Sequence, residues 1–337
     1  MEFALSDDQE AIKDTAREFL AARFPSEKVR ELAAAESPYD EAIWREMCEL
    51  GWPGIAVAED HGGQGLGVVE LAILLEELGR ALAPAPLIAN ACAGLLIERA
   101  GSDEQRSRWL PGIASGRKRG AAALTPDPEP IVGAASGAAI LVLNAGDGAR
   151  LVEAEAARLE RLDLIDTTRA YFRVAAEGGD PLPGAVAPAV DAATVAFAAE
   201  LVGIAQRALE MALAYASERE QFGRPIGAYQ AVSHRCVGIL YDTEEARSLT
   251  YYAAWCADAE LESLPLAASM AKARASDAAR AATNAALQVL GGIGFTWEHD
   301  LHFLLKRAEV SARMLGTAAE HRDRVAGLIG LADGGDR

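Results

Sequence analysis

Two segments carry side chains whose types and spacing suit an anionic ligand. The first reads Glu218-Arg219-Glu220-Gln221-Phe222-Gly223-Arg224-Pro225-Ile226-Gly227-Ala228-Tyr229-Gln230. An arginine and a glutamine at a helix break, beside a glycine that admits close backbone approach, can hold a phosphate or pyrophosphate. The second reads Gln288-Val289-Leu290-Gly291-Gly292-Ile293-Gly294-Phe295. Its glycines stand at a helix end, and Gln288 could bond an adenine or ribose edge. For either segment alone, helix-terminating glycines beside a solvated polar side chain explain the pattern as well. Occurring together, in order, between long helices, they point to a binding function.

Other chemistries find less support. Among five histidines, His299 and His302 stand at i, i+3, but no Asp or Glu completes a metal set, so no metal centre is expected. A GxSxG nucleophile motif is absent. The loop His61-Gly62-Gly63-Gln64-Gly65-Leu66-Gly67 resembles a glycine-rich phosphate loop only in composition, since no strand precedes it, and a structural turn is expected. Cys48, Cys92, Cys236 and Cys256 are widely spaced without a CxxC pair, which reads as buried free thiols of a reduced, cytoplasmic protein.

The elements that position these segments follow from periodicity. Ser6 with Gln9 makes a capping box, and Ile12, Ala16, Phe19 and Leu20 recur at helical spacing. Further helices are predicted over 41–50, ended by Gly51, and over about 69–79, 89–100 and 104–110. Residues 117–190 are rich in Pro and Gly. They hold short β-type runs at 138–143, 149–152 and 170–174, with turn residues such as Asn144, Gly146, Asp147 and Gly148 between them. This predicts a small antiparallel β domain. From Asp191 the pattern is helical again: Phe197, Leu201, Ile204, Ala208, Met211 and Tyr215 share a face. Three more helices follow, over about 229–261, 265–291 and 297–329, suggesting an antiparallel bundle. The expected fold is mainly α with a small β domain. It comprises an N-terminal helical domain (1–116), a reduced middle β domain (117–190) and a C-terminal four-helix bundle (191–337).

Composition narrows the function. The 337 residues include 32 basic and 50 acidic side chains, a net charge of −18. That argues against a nucleic-acid partner, which needs clustered Lys and Arg, and against an anionic membrane surface. Apolar runs such as 187–199 look too short to span a bilayer, and the acidic N-terminus shows no secretory pattern.

At the two C-terminal segments the chain resembles the acyl-CoA dehydrogenase family of flavoproteins. ER-x-x-FG-x-PI-x-x-x-Q (Arg219 to Gln230) and Q-x-x-GG-x-GF (Gln288 to Phe295) match its signatures. So do Phe3-x-Leu5-Ser6, Glu49-Leu50-Gly51-Trp52, the 59–66 loop and Glu76-Glu77-Leu78-Gly79. The resemblance covers roughly 1–116 and 195–300. It implies α,β-dehydrogenation of an acyl-CoA: a glutamate takes the α proton, and FAD accepts the β hydride. It also implies an FAD site shared across a subunit interface, with one chain holding the ring and its neighbour holding the ADP half.

The chain departs from the family where the chemistry would occur. In Arg313-Met314-Leu315-Gly316-Thr317 the usual glutamate position holds Leu315. The alternative base position, at the start of the first bundle helix, holds Ala193, followed by Thr194. Neither side chain accepts a proton, so no catalytic residue is expected in this chain. Glu200 is a conceivable displaced base. The middle region reads Thr125-Pro126-Asp127-Pro128-Glu129-Pro130, lacks Gly-Ser-Asp, and has no Trp between Trp109 and Trp255. The resemblance therefore implies a chain that keeps the donated half-site (Arg219, Gln221, Phe222, Gln288, Gly291, Gly292) and has lost the receiving half. This is similar to the non-catalytic subunit of heteromeric α2β2 actinobacterial acyl-CoA dehydrogenases of steroid side-chain degradation. The expected partner is a homologous catalytic subunit, with FAD shared at the interface. A self-sufficient homomeric enzyme and a flavin-free scaffold stand as alternatives.

Overall fold

The computed structural model describes residues 4–125, 127, 130–144 and 148–331. Phe3, Pro126, Pro128, Glu129, Gly146 and Asp147 lie outside the described residues. The first helical block holds six helices: α1 (Asp7–Arg23), α2 (Ser26–Ala34), α3 (Glu41–Glu49), α4 (Val68–Arg80), α5 (Leu87–Ala100) and α6 (Asp103–Ala114). The Ser6 hydroxyl accepts from Gln9 N, and the Gln9 side chain accepts from Ser6 N at 3.0 Å, the reciprocal cap that the spacing predicts. Helix α2 escapes the sequence reading because it is nine residues long and buries only Val29 and Leu32.

Among the described residues seven strands follow: β1 (Gly120–Ala123), β2 (Ile131–Gly133), β3 (Ile140–Asn144), β4 (Ala149–Glu153), β5 (Arg158–Leu162), β6 (Tyr171–Ala175) and β7 (Asp180–Pro181). They form two sheets, ordered β1-β3-β4-β7 and β2-β6-β5. The expectation of an antiparallel domain needs one correction: β1 runs parallel to β3, with Gly120 opposite Ile140. Between them the chain crosses into the other sheet through β2, and that excursion returns it in the same direction.

The second helical block comprises α7 (Ala187–Glu218), a two-residue-strand hairpin β8 (Glu220–Gln221) and β9 (Arg224–Pro225), α8 (Gln230–Ala259), α9 (Leu264–Leu290), α10 (Leu301–Ser311) and α11 (Ala318–Leu328). The helix expected over 297–329 is two helices. Leu315 and Gly316 take left-handed φ values of 64° and 105°, which no helix continues through. Thr317 then caps α11, accepting from Glu320 N, while the Glu320 carboxylate accepts from Thr317 N. Helix α7 is long and apolar enough to cross a membrane by length and composition, which corrects the reading of that stretch as too short. In the fold it is the central core helix, with 83% of its most apolar window buried inside the protein.

One apolar core joins both helical blocks, and a smaller one lies between the sheets. Helices α4 and α7 cross with their backbones in contact. A Cβ on Gly79 would lie 2.2 Å from the Glu200 carbonyl oxygen, and one on Gly203 would lie 1.9 Å from that of Glu76. Alanines along α7 and α9, among them Ala192, Ala196, Ala271 and Ala275, are fully buried and let these helices approach closely.

Candidate functional site

Bundle helices joined by short connections reverse direction, so α7 and α9 finish at the same end of the bundle. That end carries both ligand-type segments. After α7 the hairpin turns through Phe222 (φ 53°) and Gly223 (φ 79°), two consecutive left-handed residues. Phe222 is 94% exposed, although a solvated aromatic in this conformation costs about 1–3 kcal/mol. The tip is braced from below. The Tyr229 hydroxyl donates to the Gln221 carbonyl at 3.0 Å, and Phe222 meets the Tyr229 ring edge-on. The Arg224 guanidinium sits 4.1 Å from the centre of the same ring.

Arg219 and Gln221 are exposed beside this tip. Glu218 and Glu220 flank Arg219 in sequence, yet no carboxylate among the described residues pairs with it. At the end of α9, Gln288 is exposed, Gly291 adopts φ 59°, and a Cβ on Gly292 would meet no atom within 4 Å. Nothing inside this chain requires glycine at 292; the open space lies on the outer side of the backbone. The residues suited to an anionic ligand thus face outward at one end of the bundle.

The two departures from the family's chemistry meet elsewhere. Leu315 and Thr125 line one cavity, together with Cys92, Tyr171, Phe197 and Met314. Its volume is about 50 Å³, small beside the roughly 300–1,000 Å³ of a typical ligand pocket. No carboxylate among the described residues lines it. Burial pushes the Cys92 thiol up to about 12, so it is no nucleophile there. Ala193 is wholly buried in α7 and does not line the cavity.

Against this cavity lies a buried ion network that the sequence reading missed. Arg307 Nε donates to Asp166 Oδ2 at 2.7 Å, Nη1 to Glu200 Oε1 at 3.1 Å, and Nη2 to the Thr168 carbonyl at 3.1 Å. Arg169 pairs with both Glu200 oxygens, and Ser311 Oγ donates to Glu200 Oε2 at 2.8 Å. Burial alone would raise the Glu200 pKa, but Arg169 and Arg307, with the hydrogen bonds from Arg169 and Ser311, hold it below the ordinary carboxylate value. A carboxylate with both oxygens committed and its proton affinity lowered is poorly suited to take a proton. The network ties the 166–169 loop of the β region to α7 and α10. No periodicity announces it, because its members are remote in the chain, Asp166 and Arg307 by 141 residues.

Other motif residues are structural. Glu76 accepts from Lys13, Arg247 and the Tyr251 hydroxyl, and Glu77 accepts from Arg17, so this pair fastens α1 and α8 to α4. The glycine-rich loop folds onto the preceding turn through Gln64 N to the Gly54 carbonyl and Gly65 N to the Val57 carbonyl. His302 packs between the rings of Trp297 and Phe303, 4.6 and 4.0 Å between centres.

The family model for the N-terminal domain of acyl-CoA dehydrogenases matches residues 6–117, and that for the C-terminal domain matches 188–329. The chain belongs to the acyl-CoA dehydrogenase family. It is 33% identical over 318 residues to acyl-CoA dehydrogenase IpdE2 of Mycobacterium tuberculosis (strain ATCC 25618 / H37Rv), covering 93% of this chain and 95% of that one. Among solved structures, a variant of the Tcur3481-Tcur3483 steroid ACAD is 30% identical with a TM-score of 0.89, covering 96% of this chain and 98% of the other. The ChsE4-ChsE5 complex from Mycobacterium tuberculosis shares the fold at a TM-score of 0.89 and 24% identity, covering 98% and 99%. The acyl-CoA dehydrogenase fold accounts for the order of helices, strands and helices seen here.

Proposed function

We propose that this chain is the partner subunit of a heteromeric FAD-dependent acyl-CoA dehydrogenase. The observation that carries the proposal is a pairing of opposites. The segments around Arg219, Gln221, Phe222, Gln288, Gly291 and Gly292 face outward, whereas the cavity at Leu315 is small and has no carboxylate among the described residues in its wall.

The fit to FAD divides the same way. A cavity of about 50 Å³ does not take the flavin ring. The ADP half suits an unpaired guanidinium at Arg219, an exposed amide at Gln288, and backbone open to approach at Gly292. Arg219 would counter pyrophosphate charge, Phe222 would cover apolar ring surface, and Gln288 would bond a ribose or adenine edge. Flavin supplies a hydride acceptor for the β-carbon of the acyl chain, and that chemistry would take place in the partner's pocket. The α-proton base would come from the partner too, because Leu315 and Ala193 cannot serve. Glu200, locked between two arginines, supports the displaced-base reading poorly.

In this reading residues 1–116, 117–190 and 191–337 form the three units of a cytoplasmic α2β2 assembly with a homologous catalytic chain. Acyl-CoA derived from a steroid side chain is the substrate class to assay first, on the similarity to the Tcur3481-Tcur3483 steroid ACAD. Co-expression with a homologous chain that retains the glutamate should yield one FAD per heterodimer and acyl-CoA dehydrogenation. Stoichiometric FAD and turnover by this chain alone would overturn the proposal.

A further inference from the structure

The loop 312–317 between α10 and α11 is held in an unusual way. Leu315, a γ-branched residue at φ 64°, is seated in the cavity wall at a cost in backbone strain. Three carbonyls of this short loop meet buried side chains of other helices. Lys272 of α9, wholly buried, directs Nζ to the Ala312 carbonyl at 3.0 Å, the Gly316 carbonyl at 3.2 Å and Ser276 Oγ at 3.3 Å. His321 of α11, also buried, places Nε2 3.0 Å from the Leu315 carbonyl, and its Nδ1 is buried with no partner.

The charges around these two groups are few. Glu320 of α11 acts on Lys272 at a distance without contacting it. Arg324 of α11 is near His321 but is neutralised by Asp191 of α7, its Nη2 donating to Oδ2 at 3.0 Å. Lys272 therefore has only neutral acceptors in contact. Three acceptors match the three hydrogens of an ammonium. With a neutral amine, the Ser276 hydroxyl can reverse and donate to the nitrogen, so both protonation states are fully hydrogen-bonded.

We propose that Lys272 and His321 form a proton-sensitive latch on the 312–317 loop, which keeps Leu315 seated over the cavity and is loosened by proton uptake. A buried cation without a carboxylate in contact is costly, and opening the loop to water removes that cost. Burial lowers Lys272 from 10.5 to about 7, and burial with the nearby Lys272 charge lowers His321 from 6.5 to about 4. A group with a lower pKa closed than open binds its proton more readily when open. Opening is therefore easiest at and below pH 7 for Lys272, and becomes harder as pH rises from 7 towards 10.5. His321 adds a second step between pH 6.5 and 4.

Hydrogen exchange read by mass spectrometry tests the latch on the protein as purified, with whatever partner accompanies it. Protection of the 312–317 segment, corrected for chemical exchange, is compared at pH 7 and pH 9.5. The latch predicts protection at least roughly tenfold higher at pH 9.5, confined to this loop and its contacts. Lys272→Met should abolish the difference. Equal protection at the two pH values, a difference that persists in Lys272→Met, or a change spread evenly over the chain would overturn the proposal. Should the variant fail to fold, the wild-type comparison decides by its size and its location. Flavin content does not enter the reading, so the latch and the partner-subunit proposal fail separately.

Discussion

Arg307 Nη1 on α10 donates to Glu200 Oε1 on α7 at 3.1 Å, with both side chains buried. This contact makes Glu200 part of the scaffold between the β region and the bundle. Breaking a buried pair leaves its partner uncompensated and costs about 3–5 kcal/mol. Glu200→Gln should therefore lower the urea midpoint markedly, while an assembled complex that still folds keeps its turnover. A fall in turnover of a hundredfold or more with assembly intact would mark Glu200 as a base.

The same residue sets an acid limit. Its folded pKa lies below the ordinary 4.5. Its contribution is complete above that value and disappears as pH falls through the folded pKa. Thermal unfolding measured from pH 7 down to 3 should fall more steeply for wild type than for Glu200→Gln below about pH 5.

Gly79 and Gly203 should tolerate no side chain. An alanine at either would place Cβ against a carbonyl oxygen of the facing helix, 2.2 and 1.9 Å away before relaxation. Overpacking costs typically 1–3 kcal/mol, and here the obstacle is backbone, so about 3 kcal/mol or more is expected. Because both substitutions push the same two helices apart, their costs should be less than additive in denaturant titrations of the double variant.

Arg219→Ala should weaken FAD retention in the proposed heteromer by about 1.5–3 kcal/mol, the worth of a charge-assisted contact. Fluorescence titration of the deflavinated complex reads this directly, and the loss should shrink at high salt. Unchanged FAD affinity would favour a flavin-free scaffold role.

Phe222→Gly separates strain from contact. Glycine adopts φ 53° freely, so the chain by itself should gain about 1 kcal/mol in thermal stability. On the partner-subunit proposal the complex should nevertheless retain FAD less well, because the 94% exposed ring is free to reach the cofactor. Loss of stability in the isolated chain would show that the ring serves the hairpin itself.

Leu315→Glu should not restore a base. The carboxyl would enter a cavity of about 50 Å³ whose wall includes the Arg169 guanidinium, where it would compete with Glu200 for that arginine. Flavin stoichiometry should not rise above the proposed one per heterodimer, and the chain should lose stability. A second equivalent of bound FAD, read by absorbance, would contradict the closed-cavity account.

Much of this was legible in the sequence. The Ser6–Gln9 cap, the left-handed Gly51 and the long apolar face of α7 are local patterns, and local patterns reveal elements because a helix's period and caps depend on near neighbours. The motifs from Arg219 to Gln230 and from Gln288 to Phe295 identified the family. The break before Thr317 was also written in Leu315-Gly316-Thr317 with Glu320, but the apolar spacing on either side masked it.

What the tertiary structure alone decided is of another kind. The parallel pairing of β1 with β3, the crossing of α4 on α7, the network around Arg307 and the seat of Lys272 beneath the 312–317 loop each join residues remote in the chain. Burial and opposing charge act through distance in space, so Glu200 reads as a free carboxylate in the sequence and as a locked one in the fold. The order of residues sets which groups this protein possesses; packing sets which of them are buried against opposing charge and which face outward.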